Sequence, residues 1–339
     1  MRLPLVTRRA WIRLGVLFGT LGILSVGSYS CMVLMPGRSH SGPLPPLAPE
    51  ESRLAATLRG DVETLAVRIG QRNHFFYDSL AAATDHVEKR LGETGLPVAR
   101  HTYEIKGKPF HNLEAERKGS SKPEEIVIVG AHYDSVLDCP GANDNGSGAA
   151  ALLALAGALA AHRPARTLRW VAFTNEEPPH FQTETMGSRV YARRCRERNE
   201  NIVAMLSLET IGCYSDAEKS QAYPPPMSLF YPSRGNFITF VGNLGSRRLV
   251  REVVGSFRRH AAFPSEGAAL PGWLTGVGWS DQWSFWEEGY PGVMVTDTAP
   301  FRYPHYHTPE DTPDKIDFER CARVVAGLEK VIRDLAGMP

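Results

Sequence analysis

Strand-like apolar runs alternate with helical stretches through most of this sequence, and this alternation limits the possible folds more than any other feature. Two amphipathic helices are expected between residues 51 and 91, where apolar residues recur at helical spacing. Strands are predicted at 97–105, 112–116, 126–129, 168–173, 202–208, 237–241 and 293–296, with helices near 147–161, 187–196, 247–260 and 318–335. Such alternation predicts an α/β fold of three layers, a mixed, mostly parallel central sheet flanked by helices, with sites at the carboxyl ends of strands.

The N-terminus of the chain predicts a transmembrane helix. Arg2, Arg8, Arg9 and Arg13 precede an uncharged stretch at 14–35, which at about 1.5 Å per residue is long enough to cross a bilayer core of about 30 Å. Clustered arginines stay in the cytoplasm, so we expect a membrane-anchored protein whose catalytic body lies in the periplasm or outside the cell. A cleaved signal peptide, which would leave a secreted protein, stays open as the alternative.

Composition changes after this segment. Pro, Gly and Ser dominate residues 36–49 and predict an extended linker. The rest of the chain is expected to form one domain, because 42% hydrophobic residues over 339 positions can bury a large core. The predicted organisation is therefore a membrane anchor or signal segment (1–35), a linker (36–49) and a catalytic domain (50–339).

Charge balance and cysteine spacing argue against several classes of protein. Lys plus Arg number 38 and Asp plus Glu number 37, so no field of one sign indicates a nucleic-acid partner. The five cysteines include no C-x-x-C pair, which argues against a thiolate zinc site or a disulfide-rich scaffold, while one disulfide among the last four stays open. The oligomeric state is left undetermined.

Two adjacent glutamates follow the apolar run at 168–173. Glu176 and Glu177 stand where a predicted strand ends, so one rigid element can present two carboxylates, one to bind a metal and one to handle a water proton. Four other candidate ligands also fall at or just beyond predicted strand ends: His132, Asp144, Glu209 and His307. Together they predict a metal site that acts on water.

His132 and Asp144 each have a simpler explanation than metal binding. His132 follows the strand predicted at 126–129, and Asp134 is placed to accept the other ring N–H and fix the tautomer, but a hydrogen-bonded loop histidine would look the same. Asp144 lies among small residues just before the helix predicted at 147–161, where an N-cap role explains an aspartate equally well. Neither residue identifies a site by itself.

Four motifs around these residues occur in a recognisable order. They are His-Tyr-Asp-Ser at 132–135, Gly-Ala-Asn-Asp-Asn-Gly-Ser-Gly at 141–148, Thr-Asn-Glu-Glu at 174–177 and Tyr-His-Thr-Pro-Glu-Asp-Thr at 306–312. Together they resemble the secreted di-zinc aminopeptidases of bacterial leucyl aminopeptidase type, from about residue 126 to the C-terminus. The resemblance implies a zinc exopeptidase fold and peptide substrates.

The resemblance also implies a ligand set. His132 and Glu209 would be terminal ligands of one zinc ion, and Glu177 and His307 of the other. Asp144 would bridge the two ions. Two Zn²⁺ ions per chain are therefore expected, with one still possible.

A catalytic pair follows from the same resemblance. Glu176 would be the general base for a hydroxide that bridges the zinc ions and attacks the N-terminal peptide bond. Asp134 would act with it by supporting His132. The implied reaction is hydrolysis by a zinc-dependent aminopeptidase.

Two positions depart from the family pattern. Glu209 stands where relatives usually have Asp, so its site must fit one extra methylene. Gln282 stands where relatives commonly show His, and Asp281 beside it is either a pocket carboxylate or structural. The loops at 178–186 and 222–236 are expected to wall the substrate pocket, with exposed insertions as the plain alternative.

Two other functions stay open. Glutaminyl cyclases, which hold a single zinc and form N-terminal pyroglutamate, share similar His-Tyr-Asp-Ser and Glu-Glu motifs and a later Gly-Ser-Arg like that at 187–189. The segment at 141–148 is closer to the peptidase pattern. A non-catalytic binding domain is a third possibility, but it would be expected to lose Glu176 or Asp144, and both are present.

Overall fold

The computed structural model describes residues 7–338, apart from the side chains of residues 23–25. The expectation for Arg2 lies outside the described residues. Within them, eight strands form one sheet: β1 (Val98–Ile105), β2 (Lys108–Arg117), β3 (Lys122–His132), β4 (Arg166–Phe173), β5 (Asn201–Glu209), β6 (Ile238–Asn243), β7 (Ser265–Leu270) and β8 (Gly292–Thr296).

The sheet has the strand order β1-β2-β4-β3-β5-β8-β6-β7. The four central strands β4, β3, β5 and β8 run parallel to one another, and β6 is parallel to β7. The pairs β1–β2, β2–β4 and β8–β6 are antiparallel. This confirms the predicted mixed, mostly parallel sheet.

Helices cover both faces of the sheet. In the described residues they are α1 (Arg8–Met32), α2 (Pro49–Glu63), α3 (Tyr77–Gly92), α4 (Gly148–Leu159), α5 (Gly187–Glu197), α6 (Arg247–His260), α7 (Gln282–Glu287), α8 (Ala299–Arg302) and α9 (Phe318–Ala336). Alternate residues of β3 point to opposite faces. Val127 and Val129 join the core beneath α2, α3, α4, α6 and α9, whereas Ile126 and Ile128 pack with Tyr191 of α5 and with α7. The three predicted layers are therefore present.

Three strands differ clearly from the sequence-based expectation, and the first of them, β2, begins four residues before the predicted 112–116. β3 continues to His132, so this histidine is the last residue of the strand rather than part of a following loop. β7 was not predicted, because Ser-Glu-Gly-Ala-Ala-Leu shows neither β-branched enrichment nor alternation. It is a strand through its parallel pairing with β6, a long-range contact that local pattern does not report.

The N-terminal helix α1 has an exposed apolar surface. Within the described residues it is long and apolar enough to cross a membrane, a property that signal sequences share. Residues 33–48 contain no helix or strand, but they lie against the domain, where Arg258 donates to the carbonyl of Pro36 and Ser39 Oγ accepts from the Ser265 N–H. The boundaries 1–35, 36–49 and 50–339 stay a prediction.

Candidate metal centre

The parallel core of the sheet brings the predicted site residues to one edge. β4, β3 and β5 are neighbours, and their carboxyl ends lie side by side. His132 is the last residue of β3 and Glu209 the last of β5, while Glu176 and Glu177 follow shortly after β4 ends at Phe173. Side chains that are far apart in the sequence therefore meet where parallel sheets place their sites.

Asp144 lies between the two histidines. Its Oδ1 atom is 3.5 Å from His132 Nε2, and its Oδ2 atom is 3.0 Å from His307 Nε2. Glu209 Oε2 lies 3.2 Å from His132 Nε2, and Glu177 Oε2 lies 3.4 Å from His307 Nε2. The carboxylate of Asp144 thus lies between two histidine–glutamate pairs, His132 with Glu209 and His307 with Glu177.

The donor atoms fit metal ions. Three groups place one ligand atom per residue within 4.8 Å of one another: His132 with Asp144 and Glu209, Asp144 with Glu177 and His307, and His132 with Glu176 and Glu177. Both ring nitrogens of His132, Asp144 Oδ2 and Glu177 Oε1 are buried yet form no hydrogen bond within residues 7–338. Buried polar atoms of this kind need a partner, and zinc accepts this mix of imidazole nitrogen and carboxylate oxygen.

The proton affinities of the carboxylates also favour a cation. Burial raises the pKa of Glu176 well above its usual value and that of Glu177 to about 7, and nearby carboxylates add to both shifts. Burial opposes a low pKa for Asp144, but His132 and His307 hold it below its usual value. A divalent cation would relieve the repulsion among these acids.

Asp134 connects His132 to the glutamate pair. Its two carboxylate oxygens accept the backbone N–H groups of Glu176 (3.1 Å) and Glu177 (3.2 Å). Its Oδ1 atom lies 3.5 Å from His132 Nδ1, as expected for a residue that faces the second ring nitrogen. Asp134 therefore fixes the end of β3 relative to the segment that follows β4.

The loop that carries Asp144 is shaped by residues that the sequence analysis did not single out. Asp311 accepts the backbone N–H groups of Asn143 (2.8 Å) and Asp144 (3.0 Å). Asn145 Oδ1, rather than Asp144, accepts the N–H of Gly148 at the start of α4. The N-cap explanation for Asp144 is therefore wrong, and its carboxylate is left for the site.

Arg72 was also missed, because a lone arginine in a polar loop carries no sequence signal. Its fully buried guanidinium donates to the carbonyls of Tyr133 (2.6 Å), Pro140 (2.6 Å) and Gly141 (2.8 Å). It thereby joins the end of β3 to the loop before Asp144. Asp311 stands inside the motif at 306–312, which could have drawn attention to it.

Both positions that depart from the family pattern, Glu209 and Gln282, are buried. Ser280 Oγ donates to Glu209 Oε2 at 2.7 Å, which fixes the longer side chain. Gln282 Nε2 donates to the carbonyl of Val277. Burial raises the pKa of Asp281 to about 7.

All five cysteines are free thiols, so the structure contains none of the disulfides that the sequence left open.

A largely apolar cavity opens beside Glu209. Its wall includes Tyr223 and Tyr231 from the loop at 222–236, as expected, together with side chains of β6, β7 and β8. Residues of the loop at 178–186 are not among the described residues that line it. Trp279 lines the cavity, whereas Trp273 is exposed.

Comparison with known proteins identifies the chain as a member of a peptidase family. Residues 112–332 match peptidase family M28, and the chain belongs to that family. It is 34% identical over 280 residues to the uncharacterized protein YfbL of Escherichia coli (strain K12), an alignment that covers 80% of this chain and 85% of YfbL. A probable zinc metalloprotease of Pyricularia oryzae is 32% identical over 127 residues, 35% of this chain and 24% of that protein.

Two solved structures show the same fold. BSAP, a zinc aminopeptidase from Bacillus subtilis, superposes with a TM-score of 0.66 at 15% identity and covers 83% of this chain and 94% of its own. The Fimbriiglobus ruber glutaminyl cyclase superposes with a TM-score of 0.61 at 20% identity and covers 87% of this chain and 97% of its own. At these identities the likeness concerns the fold alone.

Proposed function

We propose that this protein is a zinc-dependent aminopeptidase that removes N-terminal residues from peptides. The main support is the position of Asp144, whose two carboxylate oxygens lie 3.5 Å from His132 and 3.0 Å from His307. Two histidines on opposite sides of one carboxylate suit a pair of metal ions better than a single ion.

The ligand roles follow from this arrangement. His132 and Glu209 would hold one zinc ion, Glu177 and His307 the other, and Asp144 would hold both. When bound, zinc supplies Lewis acidity, which polarises a carbonyl group and makes water easier to deprotonate. The chain contributes a buried site in which these charged groups are fixed before substrate arrives.

Glu176 is the proposed general base. Its Oε2 atom is 3.9 Å from His132 Nε2, whereas Glu209 Oε2 is 3.2 Å away, so Glu176 is the less closely engaged carboxylate. It would take a proton from the attacking water and return it to the departing amine. Asp134 would keep Glu176 in place through the Glu176 N–H and would orient His132.

A single-zinc glutaminyl cyclase is the second candidate, because a glutaminyl cyclase is among the fold neighbours. Formation of pyroglutamate needs no attacking water and so no second zinc site. A single ion would then occupy one histidine–glutamate pair, either His132 with Glu209 or His307 with Glu177, and the other pair would hold no ion. The aminopeptidase reading accounts for more of the buried side chains.

Metal content and product together test the proposal. We expect two zinc ions per chain of purified full-length protein in detergent, and release of the amine from an aminoacyl substrate. One zinc ion with ammonia release from a glutaminyl peptide would establish the cyclase instead. Bound metal with neither activity, or no metal at all, would favour a binding domain.

The N-terminal segment would anchor the protein in a membrane with the catalytic domain in the periplasm or outside the cell. The support is α1, which is long and apolar enough to span a bilayer. A secreted form after cleavage is the alternative. An intact N-terminus in the alkali-washed membrane fraction would support the anchor, and a shortened chain in the soluble fraction would contradict it.

A further inference from the structure

A row of polar side chains crosses the floor of the cavity beside Glu209. In the register of the sheet, Glu209 of β5 pairs with Thr296 of β8, Thr296 pairs with Thr239 of β6, and Thr239 pairs with Glu266 of β7. Residues paired across neighbouring strands share a face of the sheet. All four line the same cavity, and we call them the polar row.

The polar row leads away from the metal centre through a cavity whose other lining residues are mostly apolar. Three strand spacings separate its ends, about 14 Å from Glu209 to Glu266. The adjacent register row is apolar and consists of Met294, Val241 and Ala268, all of which line the cavity. A long side chain entering from the metal centre would therefore meet apolar surface first and Glu266 last.

At the far end, Glu266 has an ion-pair partner but, among the described residues, no hydrogen-bond donor. Within residues 7–338 its carboxylate accepts no hydrogen bond, and the nearest cation, Arg258 Nη2, is 3.7 Å away. That guanidinium already donates to the carbonyls of Ser265 (2.7 Å) and Pro36 (3.3 Å). Thr239 Oγ1 is also buried, and it has no hydrogen-bond partner within residues 7–338.

The charged side chains that line the cavity are acidic, and Arg258 behind Glu266 offsets one of them. Among the described residues that line the cavity, Glu209 and Glu266 are charged and none is Lys, Arg or His. Burial raises the pKa of Glu266, and the charge of Arg258 opposes that shift. The rings of Tyr223 and Tyr231, stacked 5.8 Å apart, line the same cavity and can face a cation.

We infer that Glu266 selects peptides whose N-terminal residue is arginine or lysine. This rests on the proposed aminopeptidase function. Such a side chain spans about 6 Å from Cα to its terminal nitrogen; the N–Cα bond of about 1.5 Å and a hydrogen bond of about 3 Å at each end bring an extended residue close to the length of the polar row. With the substrate amino group at the Glu209 end of the polar row, the methylene stem covers Val241 and Ala268, and the cationic end reaches Glu266. A leucine side chain is too short to reach Glu266 and offers neither Glu266 nor Thr239 a hydrogen bond.

The test compares Glu266→Gln with wild type on arginyl, lysyl and norleucyl fluorogenic amides, using the full chain in detergent. Glutamine keeps the shape and removes the charge. We expect kcat/KM for the arginyl and lysyl substrates to fall by about ten- to a hundredfold, the loss of one hydrogen bond between charged groups. The norleucyl value should change by less than about twofold, because an apolar side chain makes no such bond.

One further variant serves as a control and another as a second test. Glu252→Gln makes the same chemical change on the exposed surface of α6 and should alter no substrate ratio. Thr239 Oγ1 has no hydrogen-bond partner within residues 7–338, and Thr239→Val keeps the shape of the side chain while removing this hydroxyl. It should lower the ratio of the arginyl to the norleucyl kcat/KM by a few fold. An unchanged ratio in Glu266→Gln, with thermal unfolding like wild type, overturns the inference.

Binding separates this inference from the proposed function. Argininol and norleucinol carry no scissile bond, so their affinities by calorimetry do not depend on turnover. Weaker argininol binding to Glu266→Gln, with unchanged norleucinol binding, supports a cation subsite even if the protein cleaves no aminoacyl amide. Equal argininol affinities for the two proteins overturn it whatever the activity.

Discussion

Glu176→Gln is expected to lower kcat for aminoacyl substrates by about 10²- to 10⁴-fold while two zinc ions stay bound. The amide keeps the size of the side chain but cannot take a proton from water. The N–H of residue 176 still donates to Asp134, since that bond belongs to the backbone. Steady-state kinetics and elemental analysis of the same sample measure the two expectations together.

The zinc content of Glu176→Gln decides whether Glu176 is the general base or a metal ligand. His132, Glu176 and Glu177 also form one of the groups that could hold an ion, so Glu176 has a second geometric possibility. Loss of one zinc ion in Glu176→Gln would make it a ligand rather than the base. A kcat within tenfold of wild type would remove it from the mechanism. Glu252→Gln controls for the loss of a carboxylate elsewhere and should match wild type in both readings.

Asp144→Asn is expected to reduce bound zinc from two ions to one or none and to lower kcat/KM by more than about a hundredfold. Changes in groups that merely support metal ligands already cost about 10- to 100-fold, and Asp144 lies directly between His132 and His307. A neutral amide lacks the charge that two cations sharing one ligand require. Elemental analysis and activity with added zinc measure the effect.

Asp138→Asn is the matched control for this variant. Asp138 is exposed in the loop after β3 and has a left-handed backbone conformation that asparagine adopts readily. It should bind two zinc ions and keep wild-type activity. Two bound zinc ions in Asp144→Asn would show that residue 144 is not a ligand that both ions need.

Much of the candidate site could be predicted from the sequence because its residues stand next to strong local signals. The apolar runs that end near His132, Glu176 and Glu209 are buried strands, and the carboxyl ends of adjacent parallel strands meet at one edge. Asp134 was placed from its spacing to His132. The structure brings all these side chains together, but their catalytic and ligand roles stay proposals.

Other parts of the site depend on contacts between distant segments. Asp311 accepts the backbone N–H groups of Asn143 and Asp144, although it is far from both in the sequence. Buried Arg72 likewise donates to the carbonyl of Gly141. Hydrogen bonds of this kind leave no periodic pattern along the chain. β7 was missed for the same reason, since its pairing with β6 rather than its own composition makes it a strand.

The sequence by itself determined the alternation of helix and strand, and with it the three layers and the edge at which the acidic and histidine side chains collect. These features follow from the short-range burial of apolar residues, which repeats along the chain. Tertiary structure alone decided the register that aligns Glu209, Thr296, Thr239 and Glu266 along one cavity. Strand order and register are set by packing between distant segments, and a shift of one residue would turn Glu266 to the opposite face.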